Sequence, residues 1–256
     1  MKQIILAAFI SLFFVACQNE LPQPTATGSL EIDAIELEKC SNEAVSRAID
    51  ADLIVEIWQN GEIFQYKGQT FHFTNGSFPN TLVLPVGNYQ VKAFNEAYQK
   101  GSEWTNSDLG SAIYYKEQDI EISDAKATRI AMKVPMVNIG VTFALPQGFE
   151  QSFSEYTFTV TEGAVAEGTA LQEGQDDQLK SGVKTASVRT VSVRKVETIY
   201  LNAKAFTVTL QAKNIDNEIV KTSLTKEEVT PGTVYTVAYH TANTQEVAAV
   251  FHAADF

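Results

Sequence analysis

Residues 55–66 read VEIWQNGEIFQY, and the dipeptide at their centre sets the reading of the whole chain. A two-residue type I′ turn needs positive φ at both central positions, and Asn60-Gly61 supplies it. Folding the strand back about that turn pairs Ile57 with Phe64, Val55 with Tyr66 and Glu56 with Gln65. The apolar pairs then share one face and the polar pair takes the other. Trp58 and Ile63 pair on the mostly polar side and leave a partly exposed apolar patch there.

The same two-residue period extends in both directions. Leu30, Ile32 and Ala34 alternate with charged residues before Ile35 and Leu37 change parity. A parity change flips the buried face, so a bulge or strand end is expected near Ala34. TLVLPVGNYQVKAF (residues 81–94) places strand residues on both sides of a Pro85-Val86-Gly87 turn. Residues 95–112 read as a long polar loop carrying Trp104, exposed among polar neighbours. Strands follow at Ile120 and Ile122 and, after SDAKAT, at Ile130, Met132 and Val134. Beyond Pro135, Val137, Ile139, Val141 and Phe143 alternate cleanly.

The second half follows the same plan. Tyr156, Phe158 and Val160 alternate, as do Phe206, Val208, Leu210 and Ala212. Residues 163–184 are poor in apolar residues and read as a long loop. Asp216-Asn217 turns into a returning strand, matching the Asn60-Gly61 hairpin. PGTVYTVAY echoes PVGNYQVKAF, with Tyr235 and Val237 placed after Pro231 as Tyr89 and Val91 are after Pro85. Val247, Val250 and Phe251 fall at helical spacing, so the C-terminal tail is expected to be a short helix. Many short strands at this spacing predict an all-β chain of two tandem β-sandwich domains, at 29–135 and 136–256.

The N-terminus addresses the chain. Lys2 precedes an apolar run from Ile4 to Ala16, too short to span a bilayer, which takes about 20 residues. Residues 1–16 therefore read as a signal peptide. Phe14-Val15-Ala16-Cys17 resembles a bacterial lipoprotein signal, which implies acylation of Cys17. The usual smaller aliphatic residue is replaced by Phe14. Residues 17–28, with Pro22 and Pro24, form a flexible tether that spans roughly 30 Å if extended. The localisation expected is an outer-membrane lipid anchor, on the periplasmic face or the cell surface.

Composition excludes several chemistries. The chain holds 19 basic and 31 acidic residues, a net charge of −12. That balance disfavours nucleic acid, whose binding needs clustered cations. With Cys17 acylated, Cys40 is a lone thiol, read as a passive residue. There is no Gly-x-Ser-x-Gly elbow, phosphate-binding glycine loop or His-Glu-x-x-His pair. His72, His240 and His252 are far apart. Asp176 and Asp177 lack the spacing of a calcium loop. The protein is accordingly read as no enzyme, with no cofactor and no metal. The remaining candidates are aromatic: Trp58, Trp104, Tyr114 and Tyr115 are a possible platform for glycan or a protein partner.

GSLEID, VSRAID, LPVGNYQVKAF, SAIYYKEQDIEI and MKVPMVNIGVTF, in that order after the tether, resemble the Bacteroidetes-type lipoproteins of domain-of-unknown-function family 4493. More distantly the layout is similar to the fimbrial anchor and fimbrillin-like lipoproteins, paired transthyretin-like sandwiches that build or tether surface pili. The resemblance implies a structural or adhesive surface protein, a fimbria-like subunit or anchor. A glycan- or ligand-binding lipoprotein is the alternative. It also implies possible processing at Arg47, which would release the strand at 28–38 and admit a neighbour's strand by addition.

Overall fold

The computed structural model describes residues 26–38, 53–74, 77, 79, 81–101, 103–163, 189–243 and 246–252. The first half contains β1 (Thr27–Leu37), β2 (Leu53–Gln59), β3 (Glu62–Ile63), β4 (Gln65–Tyr66), β5 (Gln69–Thr70), β6 (His72–Phe73), β7 (Thr81–Pro85) and β8 (Gly87–Asn95). A short helix α1 (Glu96–Lys100) and strands β9 (Tyr115–Ile122) and β10 (Ala127–Val134) complete it. One sheet has the order β10-β1-β7 and the other β3-β2-β8-β9, with β6 also on β2. Their facing side chains make one core. Leu30, Leu84, Ile130 and Met132 come from the first sheet, and Val55, Ile57, Val91 and Ile122 from the second. The Pro85-Val86-Gly87 turn is thus a crossing between sheets, because β7 bonds β1 while β8 bonds β2 and β9.

The expected irregularity in β1 is present. Its parallel register with β10 shifts between Ile32 and Ala34. The extra residue, Asp33, restores the inward parity, so Leu30, Ile32, Ile35 and Leu37 all pack on the first core.

The Asn60-Gly61 hairpin forms, with φ of 53° and 83° at the turn and Trp58 opposite Ile63. Its pairing then stops short of the expected register. Val55 lies opposite Phe73 and Glu56 opposite His72, instead of Tyr66 and Gln65. The cause is a second turn, at Lys67-Gly68, with φ of 51° and 79°. It folds Gln65–Thr70 into a hairpin of its own. Ile57 bridges the interruption: its carbonyl accepts from Phe64 N–H and its N–H donates to Phe71 O.

The second half contains β11 (Ile139–Ala144), α2 (Phe149–Ser152), β12 (Phe153–Glu162), β13 (Thr190–Val193), β14 (Ile199–Leu201), β15 (Phe206–Asn214), β16 (Ile219–Lys226), β17 (Val234–Asn243) and β18 (Glu246–His252). The sheets are β14-β11-β17-β18 and β13-β12-β15-β16. They enclose a second core that includes Phe143, Phe158, Phe206 and Tyr239. The C-terminal tail is strand, not helix. Val247, Ala249 and Phe251 take the inward period-two positions against this core. The backbone edge of β17 supplies a ladder for β18, which an isolated short helix would lack.

The two sandwiches repeat each other in topology. In each, the first strand runs parallel to a late strand: β1 beside β10, β11 beside β17. Likewise β2, β8 and β9 correspond to β12, β15 and β16 in sheet order. The sequence echo does not follow this correspondence, since PVGNYQVKAF builds β8 and PGTVYTVAY builds β17. What the echo shares is a corner. Tyr89 Oη donates to Pro85 O at 2.9 Å, and Tyr235 Oη accepts Thr230 N–H at 2.8 Å. The two turn motifs are also at unlike places, because Asn60-Gly61 joins β2 to β3 whereas Asp216-Asn217 joins β15 to β16.

The long loop before β9 joins the two halves. Arg189, 7% exposed, donates to Thr105 O at 3.2 Å, to Tyr200 O at 2.8 Å and to Asp108 O. Tyr200 N–H donates to Leu109 O at 2.7 Å. Gly110, at φ +75°, passes so close that a Cβ would lie 2.7 Å from Tyr200 O.

Candidate interaction surfaces

The outer face of the β3-β2-β8-β9 sheet carries two of the four aromatic candidates. Alternation turns Val55 and Ile57 into the core and Glu56 and Trp58 outward. The same rule puts Lys92 outward on β8 and Tyr115, Glu117 and Asp119 outward on β9.

Trp58 is held by two charged side chains. Its Nε1–H donates to Glu56 Oε2 at 2.7 Å, and Lys92 Nζ lies 3.7 Å from the indole centroid. Glu56 is only 5% exposed, and its other oxygen meets His72 Nδ1 at 2.9 Å. His72, brought in by β6, thus has a carboxylate partner. An ammonium over an indole is worth about 0.5–1 kcal/mol at an exposed site. The face it covers is closed to a ligand unless Lys92 swings away. Beside Trp58 a shallow groove of about 640 Å³ is lined by Asn60, Asn88, Gln90, Asp119 and Glu121 among others.

Tyr115 lies at the opposite end of the same face, opposite Phe94 on β8. Tyr98 of α1 stacks on it, with centroids 4.3 Å apart and planes at 14°. Helix α1 is placed by its cap: Asn95 Oδ1 accepts Tyr98 N–H at 3.2 Å. Tyr98 is 40% exposed. Burial and the hydrogen bond to Glu117 push the Tyr115 phenol well above its ordinary range. Tyr98 carries no marked signal in the sequence except its helical offset from Asn95.

The other two aromatics are elsewhere. Tyr114 is 4% exposed and belongs to the first core, so it offers no face to a ligand. The register inverts neighbouring side chains, and Tyr114 and Tyr115 point to opposite sides. Trp104 is half-buried, not exposed as its polar neighbours suggest. Arg189 sits 5.1 Å from its ring and Gly110 packs against it. Cys17, Cys40, Arg47, Asp176 and Asp177 lie outside the described residues.

The far end of the second half carries two exposed isoleucines around a polar turn, Asp216-Asn217-Glu218. Ile215 and Ile219 are 60% and 68% exposed at the β15–β16 turn. Asn214 builds this turn, its Oδ1 accepting the N–H groups of Asp216 and Glu218 at 3.0 and 2.8 Å. Among the described residues no group of three or more His, Cys, Asp or Glu is placed to hold a metal. None of the described helices is long and apolar enough to cross a membrane.

Residues 26–250 match a family model described as Domain of unknown function (DUF4493). No curated protein matches the chain. Among solved structures, the fold is similar to that of a candidate cell adhesion protein from Bacteroides uniformis. The two are 10% identical, with a TM-score of 0.51 over 89% of this chain and 98% of that one. A candidate adhesin from Bacteroides thetaiotaomicron is 12% identical, with a TM-score of 0.45 over 90% of this chain and 97% of that one.

Proposed function

This chain belongs to the DUF4493 family, and on that premise we propose that it is a lipid-anchored surface protein with a structural or adhesive role and no enzymatic one. In this reading residues 1–16 are removed, Cys17 is acylated, and the segment from Cys17 to the start of β1 tethers the first sandwich and, through it, the second to the outer membrane. A fimbria-like subunit or anchor is the specific form.

The observation that carries the reading is polarity. The chain enters β1 at the end of the first sandwich that faces away from Val134 and the junction. The exposed Ile215 and Ile219 lie at the end of the second sandwich that faces away from Arg189. A tether at one end and two exposed isoleucines at the other suit a protein that presents a contact at a distance from its membrane. The name carried by the Bacteroides uniformis neighbour points the same way.

Strand addition is the expected mode of assembly. β1 is the middle strand of its sheet, between β10 and β7. In the subunit form, processing at Arg47 releases β1 together with its acylated tether and leaves both neighbours with open edges and a lined groove; an anchor keeps β1 and its lipid. Crosslinking of intact cells that express the acylated protein, with partners identified by mass spectrometry, tests this. Ladders of β-sandwich lipoproteins joined through residues 28–38 or edge strands are expected. Links confined to glycan-uptake components, or none, overturn it.

The Tyr98–Tyr115 stack favours a second reading, a glycan-binding surface. An exposed ring backed by another ring is a rigid platform with little entropy to lose. Oligosaccharide binding that is lost in Tyr98→Ala and kept in Trp58→Ala is its signature.

A further inference from the structure

The path of the chain through the fold has a mechanical meaning. The tether runs into β1 at Thr27, and the first sandwich hands over to the second after β10 at Val134. β1 and β10 are parallel and directly bonded, with eight register pairs from Ser29–Ala127 to Leu37–Val134. β7 adds five antiparallel pairs on the other side of β1. A load between tether and second sandwich therefore pulls two parallel, paired strands from opposite ends.

Ladder hydrogen bonds lie roughly across the strand axis. Force along the axis shears them all together, whereas force across it opens them one at a time. The entry point is stitched as well. Val86 N–H donates to Ala26 O at 2.9 Å, Ala125 N–H to Thr27 O at 3.0 Å and Ser29 N–H to Lys126 O at 2.9 Å. Gly28 fits the turn so closely that a Cβ would lie 2.3 Å from Ser123 O. At the far end Glu38 N–H donates to Val134 O at 2.9 Å. Leu30 is fully buried along the way. The second sandwich repeats the pairing, since β11 enters parallel to β17 in register from Gly140–Val234 to Ala144–Ala238.

We infer that β1 and β10 form a shear clamp, by which the first sandwich carries tensile load from the tether to the second sandwich without unfolding. The source of the load rests on the surface-tethered reading above; the resistance itself belongs to the strands and is testable alone.

Single-molecule pulling on the full, non-acylated chain is the test, with Cys40→Ser so that Cys17 is one handle. In one variant the second handle is Asp216→Cys at the far tip, which loads β1 against β10 in shear. In the other it is Asp124→Cys, at the turn where β1 and β10 both begin, which unzips the same strands. A rupture force for the first sandwich several-fold higher with the Asp216→Cys handle is expected. Equal forces in the two directions overturn the clamp. That outcome leaves the surface reading to be decided by the crosslinking, which does not depend on load.

Discussion

Asn95 and Asn138 grip the same four residues from opposite sides. Asn95 Nδ2 donates to Ala112 O at 2.8 Å and its Oδ1 accepts Tyr114 N–H at 3.0 Å. Asn138 Nδ2 donates to Ser111 O and its Oδ1 accepts Ile113 N–H, both at 2.9 Å. Two amides thus extend the sparse backbone pairing here, in which Asn95 N–H donates to Tyr114 O and Val137 N–H to Ile113 O, along a segment that leads into β9 from the loop on the second sandwich. Asn138 is 2% exposed and Ile113 5%, so water is not a substitute. Asn138→Ala is expected to cost about 2–4 kcal/mol, two buried groups left unpaired. Asn138→Asp keeps the acceptor but buries a charge and sets a second oxygen against Ser111 O, so it should cost no less. Urea midpoints of the two variants decide it, and a midpoint unchanged in Asn138→Ala would show that the two bonds do not hold the segment.

Arg189 is the matching device on the second sandwich. Its guanidinium reaches three backbone carbonyls and caps Trp104 at once. Lysine has one ammonium and no plane to stack. Arg189→Lys should therefore loosen residues 104–109 almost as much as Arg189→Ala, on the order of 2–4 kcal/mol for the truncation. A red shift of Trp104 emission, recorded with Trp58→Phe as background, reports it. Unchanged emission in both variants removes the latch.

Acid acts on the same loop. The Asp108 carboxyl is held below its ordinary range, first by Thr105 N–H, then by the Thr105 hydroxyl, with the charge of Arg189 adding to them. A depressed carboxyl contributes its stabilisation above its unfolded value and loses it as pH falls through the folded value. The protection factor of the Thr105 amide, its exchange corrected for the intrinsic pH dependence, should fall in that acid window and stay flat near neutrality. Asp108→Asn abolishes the acid step while leaving the neutral protection only modestly lowered.

Cutting the chain between β1 and β2 separates covalent from non-covalent retention. β1 buries Leu30 and packs Ile32, Ile35 and Leu37 against the core. Each fully buried aliphatic side chain is worth about 1.5–3 kcal/mol. With a specific protease site in place of residues 41–46, the nicked halves are expected to co-elute under native conditions and to part only in urea. Spontaneous separation on gel filtration would mean that processing alone frees the strand, with no incoming strand needed to displace it.

Local chemistry was legible where it needed only neighbours in sequence. Asn60-Gly61 set its turn because positive φ is a property of two residues. The parity change at Ala34 announced the bulge because the side-chain period of a strand is two. The alternation of Ile139, Val141 and Phe143 announced a core strand for the same reason, whereas Val137, read as part of the same run, lies ahead of β11 and is exposed. Pairing was not legible beyond the first turn. Lys67-Gly68 looks like an ordinary polar pair, yet its turn hands the edge of β2 from Tyr66 to Phe73. The tail chose strand over helix because β17 had an edge to offer, a fact about a distant segment.

The amino-acid sequence by itself determined an all-β chain of two sandwiches, because alternation and turn propensity act over a few residues and are written in them. Only the tertiary structure decided which faces those residues occupy. It buried Tyr114 and stacked Tyr115 under Tyr98, though the two are adjacent. It spent Trp104 on Arg189 and covered Trp58 with Lys92. It also gave Asn95, Asn138 and Arg189 their work, since a buried polar side chain acquires its role from carbonyls and amides up to 84 residues away. Those partners are set by the packing of whole sheets and are not encoded in any one stretch of the chain.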